Sequence, residues 1–170
     1  NVEGWPVEFV SDNVMTLFGY TAKEFTSGQV AYAKTIHPDD LERVAQEVST
    51  YSKEKGRTSF THKPYRIVTK DGEVKWLDDR TFIRRNAKGR VTHYEGLCVD
   101  ITERKQAEKQ LLLSKKRLET LVRVSEHEIA NVNEFLDYAL EEAIYLTDSQ
   151  FGYIYFYNED TKGFTLNTWS

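Results

Sequence analysis

Few residues of this 170-residue chain can do chemistry, and they are scattered. His127 and Glu128 are adjacent in a helical stretch, an imidazole nucleophile beside a carboxylate that can manage its proton. A phosphoryl acceptor uses such a pair; the plainer reading is a solvated helix face. His37 offers an imidazole of the kind that ligates haem iron. Its place before Pro38, Asp39 and Asp40 reads instead as helix entry, where Pro suits the first turn and carboxylates favour the positive helix end. His62 and His93 alternate with charged or aromatic neighbours and are expected on an exposed sheet face. No two histidines have metal-site spacing, so no metal is expected. Cys98 is the only cysteine, which excludes an internal disulfide and a cysteine-cluster metal site. Glu73, Asp78 and Asp79 could be combined as a hydrolytic carboxylate pair. Their neighbours Arg80, Arg84 and Arg85 favour cross-strand charge pairing on a wet face. No Gly-rich phosphate loop is present, and no catalytic residue is assigned.

The elements that hold these residues follow from pattern. Residues 5–11 alternate and read as a strand. Asp12 or Asn13 caps a short helix over 13–20, and Gly19 helps to stop it. Thr21 opens the next turn, with Glu24 placed to complete a capping box. Residues 39–54 carry Leu41, Val44, Ala45 and Val48 at helical spacing, and Gly56 ends that helix. Three strands follow, over 58–69, 73–85 and 90–101, joined by Lys70-Asp71-Gly72 and Asn86-Ala87-Lys88-Gly89. Such turns between alternating strands predict an antiparallel meander with the helices covering one face.

From Thr102 the period changes to helical, and Gly and Pro are absent for about fifty residues. No turn residue separates the last strand from this helix. Ala107, Leu111, Ser114, Leu118, Leu121 and Ser125 recur by fours and threes, with Leu112 and Val122 widening the stripe. This predicts a parallel dimeric coil, weak because half of those six seam positions are not Leu. A second amphipathic helix spans 132–147. A hairpin follows over 151–170, turned at Asp160-Thr161-Lys162-Gly163, and its exposed edge is expected to pair.

Composition bounds the class. Hydrophobic residues make up 39% and charged residues 29%, enough for a packed core. The net charge of −4 and the lack of a basic tract argue against nucleic-acid binding. No apolar run is long enough to span a membrane, so no direct insertion is expected. The chain opens at Asn1 and is read as an internal piece of a longer protein, in a reducing, cytoplasmic setting.

Four segments carry a family resemblance: VEFVSDNVMTLFGYTAKEF at 7–25, IHPDDLERV at 36–44, YRIVTKDGEVKWLDDR at 65–80 and YEGLCVDITERK at 94–105. In order and spacing, residues 5–105 resemble a PAS domain with its C-terminal PAC motif. The resemblance implies a five-stranded antiparallel sheet with small helices enclosing a pocket; the family's first strand would fall before Gly4. It also implies that Asp100, Ile101, Thr102 and Arg104 form a signalling junction, with Asp100 bonding across it to Arg104 or Lys105. Residues 134–160 and 164–170 are similar to the start of a GAF domain. The order PAS then GAF resembles bacterial and archaeal sensor histidine kinases. His127-Glu128, however, continues as Ala130-Asn131-Val132, without the Arg and Pro of the kinase acceptor box. Flavin photosensors of this family place a reactive Cys on a helix within Asn-Cys-Arg; Cys98 is on a strand and reads as a buried structural thiol.

The expected fold is therefore α+β. A PAS domain spans 1–101, a coiled-coil linker 102–127 and an incomplete GAF domain 128–170. Phe9, Phe18, Tyr32, Tyr65, Trp76 and Phe82 are the candidate pocket walls, or else core filling; an unknown small molecule is allowed and no cofactor is predicted. Ala107, Leu111, Leu118 and Leu121 form the seam of an expected homodimer. The expected role is a non-catalytic sensory relay to a downstream output domain. The alternatives are a phosphotransfer fragment at His127 and a ligand-free interaction scaffold.

Overall fold

The computed structural model describes residues 4–126 and 131–170. It is α+β and forms two compact units, the first ending at Gln106 and the second running from Ala107 to Ser170. The boundary falls inside one helix.

In the first unit the axis of the sheet is a long strand, Val74–Arg85. Two short strands, β1 (Ser59–Thr61) and β2 (Tyr65–Val68), pair antiparallel with it at 80–82 and 74–77. The axis is β3, and β4 (Val91–Asp100) pairs antiparallel along its other edge from Leu77 to Arg85. Both predicted hairpin turns form, with Gly72 and Gly89 at positive φ (85° and 74°). The single strand expected over 58–69 is divided at 62–64. Pro64 has no amide proton to give the ladder, so pairing stops there and restarts at Tyr65. Residues 5–11 also depart from expectation and form no strand. Trp5 has φ 51°, and the Trp5 carbonyl takes a bond from the Tyr32 amide, so this segment runs against a helical turn instead of a strand partner. Among the described residues the sheet has four strands.

The segment before the sheet folds as α1 (Val14–Phe18), α2 (Ala22–Thr26), a 3₁₀ turn (Tyr32–Thr35) and α3 (Pro38–Lys53). Local signals account for the ends. Gly19 closes α1 in the left-handed conformation. Thr21 and Glu24 form the reciprocal capping box of α2, with the Thr21 amide donating to Glu24 at 2.8 Å. His37 is the N-cap of α3, its Nδ1 accepting from the Asp39 amide at 3.3 Å. These helices cover the inner face of the sheet. Val14, Phe18, Phe25, Ile36, Val44, Tyr65, Ile67 and Leu77 form the main core, and Val48, Phe60 and Ile83 a smaller one.

α4 (Thr102–Glu126) begins two residues after β4 ends. The second unit also contains α5 (Val132–Thr147) and the antiparallel hairpin of β5 (Tyr153–Asn158) and β6 (Gly163–Trp169). Asn131 caps α5 by accepting from the Glu134 amide at 3.0 Å. Gly152 allows the hairpin to lie on α5: a Cβ there would stand 2.9 Å from Leu140 Cδ1 and 3.0 Å from Ile144 Cγ1. Among the described residues, no helix is long and apolar enough to cross a membrane.

Candidate functional site

Strand parity decides what faces the interior. Side chains alternate along a strand, and in β3 the buried positions are Leu77, Asp79, Thr81 and Ile83. Asp78 and Asp79 therefore point to opposite faces. Asp79 is an interior carboxylate, 5% exposed, and not part of a wet charge pair as expected from its arginine neighbours. The Tyr65 hydroxyl donates to Asp79 Oδ2 at 2.6 Å. The Thr81 hydroxyl lies 3.4 Å from Asp79 Oδ1. Tyr32, on the 3₁₀ turn, brings its hydroxyl 2.6 Å from that of Tyr65 and 3.4 Å from Cys98 Sγ. Cys98 is the cross-strand partner of Asp79 on β4. Four elements thus converge on one buried polar cluster.

Burial sets its electrostatics. Desolvation raises the Asp79 carboxyl above its ordinary value, against the bond from Tyr65 that favours the anion. Desolvation likewise holds Tyr32 and Tyr65 well above the usual phenol value, and the Cys98 thiol is pushed up to about 12. The raised value keeps the Cys98 thiol protonated, but the residue is half-buried and not the fully buried thiol expected. His62, expected on an exposed face, is buried. Its Nδ1 is 2.6 Å from Glu47 Oε2, and its ring stands edge-on to those of Phe60 and Tyr65. His62 continues the inward parity of Phe60 and so meets α3, where Arg43 also donates to the carbonyls of Lys63 and Pro64.

The predicted pocket walls divide. Phe18 and Tyr65 are buried in the core, and Tyr32 packs against it. Phe9 is 84% exposed, because residues 5–11 form no strand to turn it inward. Trp76 and Phe82 occupy the even positions of β3 and stand on the outer face, beneath the guanidinium groups of Arg66 and Arg80. Sequence reasoning missed Asp79 as an interior group. The adjacent pair Asp78-Asp79 held the signal, since the strand period of two forces one of them inward.

A second arrangement stands where β4 passes into α4. The Ile101 amide donates to the Trp76 carbonyl at 2.9 Å, and the Trp76 amide donates to Thr102 Oγ1 at 2.9 Å. The Thr102 hydroxyl and amide both donate to Asp100 Oδ1, at 2.6 and 2.9 Å. Ile101 itself is buried. Thr102 thus extends the β3–β4 ladder one step past the strand with its side chain, then starts the helix. Lys75 approaches Asp100 at 3.9 Å. Arg104 follows in the first turn of α4.

Of the seam positions, Leu111, Leu118 and Leu121 are exposed leucines and Ala107 is exposed with them. His127 and Glu128 lie outside the described residues. Among the described residues, no group of three or more His, Cys, Asp or Glu is placed to hold a metal ion.

The PAS fold family matches residues 7–98, and the chain belongs to it. Over 115 residues the chain is 53% identical to the methyl sulfide methyltransferase-associated sensor of Methanosarcina acetivorans, covering 68% of this chain and 11% of that protein. It is 32% identical over 117 residues to the two-component sensor PprA of Pseudomonas aeruginosa, covering 68% of this chain and 12% of that one. The match thus spans about a tenth of the length of each of these two relatives. Among solved structures, a sensory box histidine kinase/response regulator from Burkholderia thailandensis is similar at 25% identity and TM-score 0.52, over 68% of this chain and 86% of that one.

Proposed function

We propose that this chain is a non-catalytic sensory and relay module of a longer, cytoplasmic signalling protein, in which the PAS unit biases a dimeric helix that leads to an output domain. The carrying observation is the Trp76–Thr102–Asp100 connection, where one threonine belongs both to the sheet ladder and to the start of α4. A change in the sheet then acts on the helix with no flexible joint between them. The relatives named as sensors support the sensory half of this reading. α4 is the dimer coil, and α5 with the β5–β6 hairpin is the start of a GAF domain. The Burkholderia likeness supports a histidine kinase as parent. A weak coil suits such a relay, because two registers of similar energy respond to a small bias.

The test is oligomeric state. Burying one leucine contributes about 1.5–3 kcal/mol, so Leu111→Asp with Leu118→Asp removes most of the seam's apolar gain. Sedimentation of the full chain is expected to show a dimer and the double variant a monomer. A double variant that remains dimeric overturns α4 as the interface.

A further inference from the structure

The buried cluster has a property that the relay reading does not use. A phenol has one proton to donate. The Tyr65 proton is committed to Asp79 Oδ2. The 2.6 Å contact between the two phenols must then be made by the Tyr32 proton, with Tyr65 accepting. With Asp79 ionised, the chain of bonds therefore runs one way, from Tyr32 to Tyr65 to Asp79. The Tyr32 oxygen, its proton spent, is left to act toward Cys98 Sγ as an acceptor.

We propose that proton uptake by Asp79 reverses the direction of this hydrogen-bond chain, making it a two-state switch between the interior of β3 and strand β4. The balance is simple. One proton enters at Asp79 Oδ2, which becomes the donor to the Tyr65 oxygen. Tyr65 turns its proton to the Tyr32 oxygen, and Tyr32 turns its proton to Cys98 Sγ. No covalent bond other than the new O–H is made or broken. The three contacts keep their partners and exchange their donors, and the group left without its former acceptor is the Cys98 S–H, a weak donor. The groups facing Asp79 are Tyr32 from the 3₁₀ turn, Tyr65 from β2, Thr81 on β3 itself, Cys98 from β4 and His62 from the break after β1. Glu47 of α3 stands behind His62. Among these described partners no Lys or Arg neutralises the carboxylate directly, and burial works in favour of uptake. The far end of the chain, Cys98, is two residues from Asp100 on the same strand, and Asp100 holds Thr102 at the head of α4.

The experiment uses the full 170-residue chain and two independent probes followed against pH. Carbon-detected NMR reads the Asp79 carboxyl, assigned with Asp79→Asn. Infrared spectroscopy reads the Cys98 S–H stretch, assigned with Cys98→Ala. The expected result is one shared midpoint above the ordinary aspartate range, with the S–H band shifting as Cys98 begins to accept from Tyr32. Tyr65→Phe cuts the chain in the middle, so the S–H band should follow pH much less, keeping only the direct effect of the Asp79 charge on Cys98, while the Asp79 midpoint moves higher, its stabilising donor lost. If Asp79→Asn does not fold, Tyr65→Phe alone carries the same comparison. An S–H band that ignores the Asp79 titration in the unmodified protein overturns the switch. A band that follows it as strongly in Tyr65→Phe as in the unmodified protein overturns it as well.

Discussion

Replacing Thr102 with Val tests the junction at the level of single bonds. Val keeps the shape and the β-branch of Thr and removes only the hydroxyl. That hydroxyl accepts from the Trp76 amide at 2.9 Å and donates to Asp100 at 2.6 Å. An amide bond contributes about 0.5–1.5 kcal/mol net, and one to a charged group about 1.5–3 kcal/mol. The simple sum is an upper bound, because Asp100 is exposed and water replaces part of its loss. The half-buried Trp76 amide is less easily rescued. A local loss of about 1–2 kcal/mol follows, which corresponds to roughly 5–30-fold in an opening equilibrium. Hydrogen exchange followed by NMR should therefore show the Trp76 and Ile101 amides exchanging faster by about that factor in Thr102→Val. Amides of β3 near Ile83 should be unchanged, and Thr102→Ser, which keeps the hydroxyl, should restore most of the protection. Unchanged Trp76 exchange in the Val variant would refute the connection. So would a uniform rise across β3, which would mean that the hydroxyl supports the fold generally and not the junction.

Two further outcomes concern charge. Arg66 clamps Asp40 through its Nε at 2.9 Å and a second nitrogen at 3.0 Å, reaches Asp39 at 3.2 Å and lies over Trp76; Arg66→Ala should lower the midpoint of chemical denaturation, and Arg66→Lys should recover little of it because an ammonium cannot form the fork. The pH dependence should have two opposed limbs. Glu24, bonded to Lys70 and the Thr21 amide, is held down to about 2, so its contribution is present above the ordinary carboxylate value and is lost as pH falls toward 2. Asp79 has the opposite sign: its folded value is raised, so its contribution is present below the ordinary aspartate value and is lost as pH rises through the folded value. Denaturation midpoints across pH should show Glu24→Gln flattening the acid limb and Asp79→Asn flattening the decline above it; an Asp79→Asn curve parallel to the parent would show that Asp79 contributes no such term.

The sequence by itself determined the features that short-range chemistry controls. The capping box of Thr21 and Glu24, the entry of α3 at His37-Pro38 and the turns at Gly72 and Gly89 each depend on residues a few positions apart. The passage from strand to helix at Thr102 was legible for the same reason: the period changes there and no breaker intervenes. Tertiary structure alone decided which way side chains on the strands face. β3 carries large apolar residues at both parities, Trp76 and Phe82 on one and Leu77 and Ile83 on the other, so the pattern did not choose a face. Register against β2 and β4 made that choice, placing Trp76 and Phe82 outside and Asp79 among buried phenols. The pairing of β1 with β3 likewise set Phe60 and, two residues on, His62 inward, where His62 meets Glu47. A capping motif requires only its own segment, whereas the polarity of a strand's surroundings depends on neighbours tens of residues away along the chain.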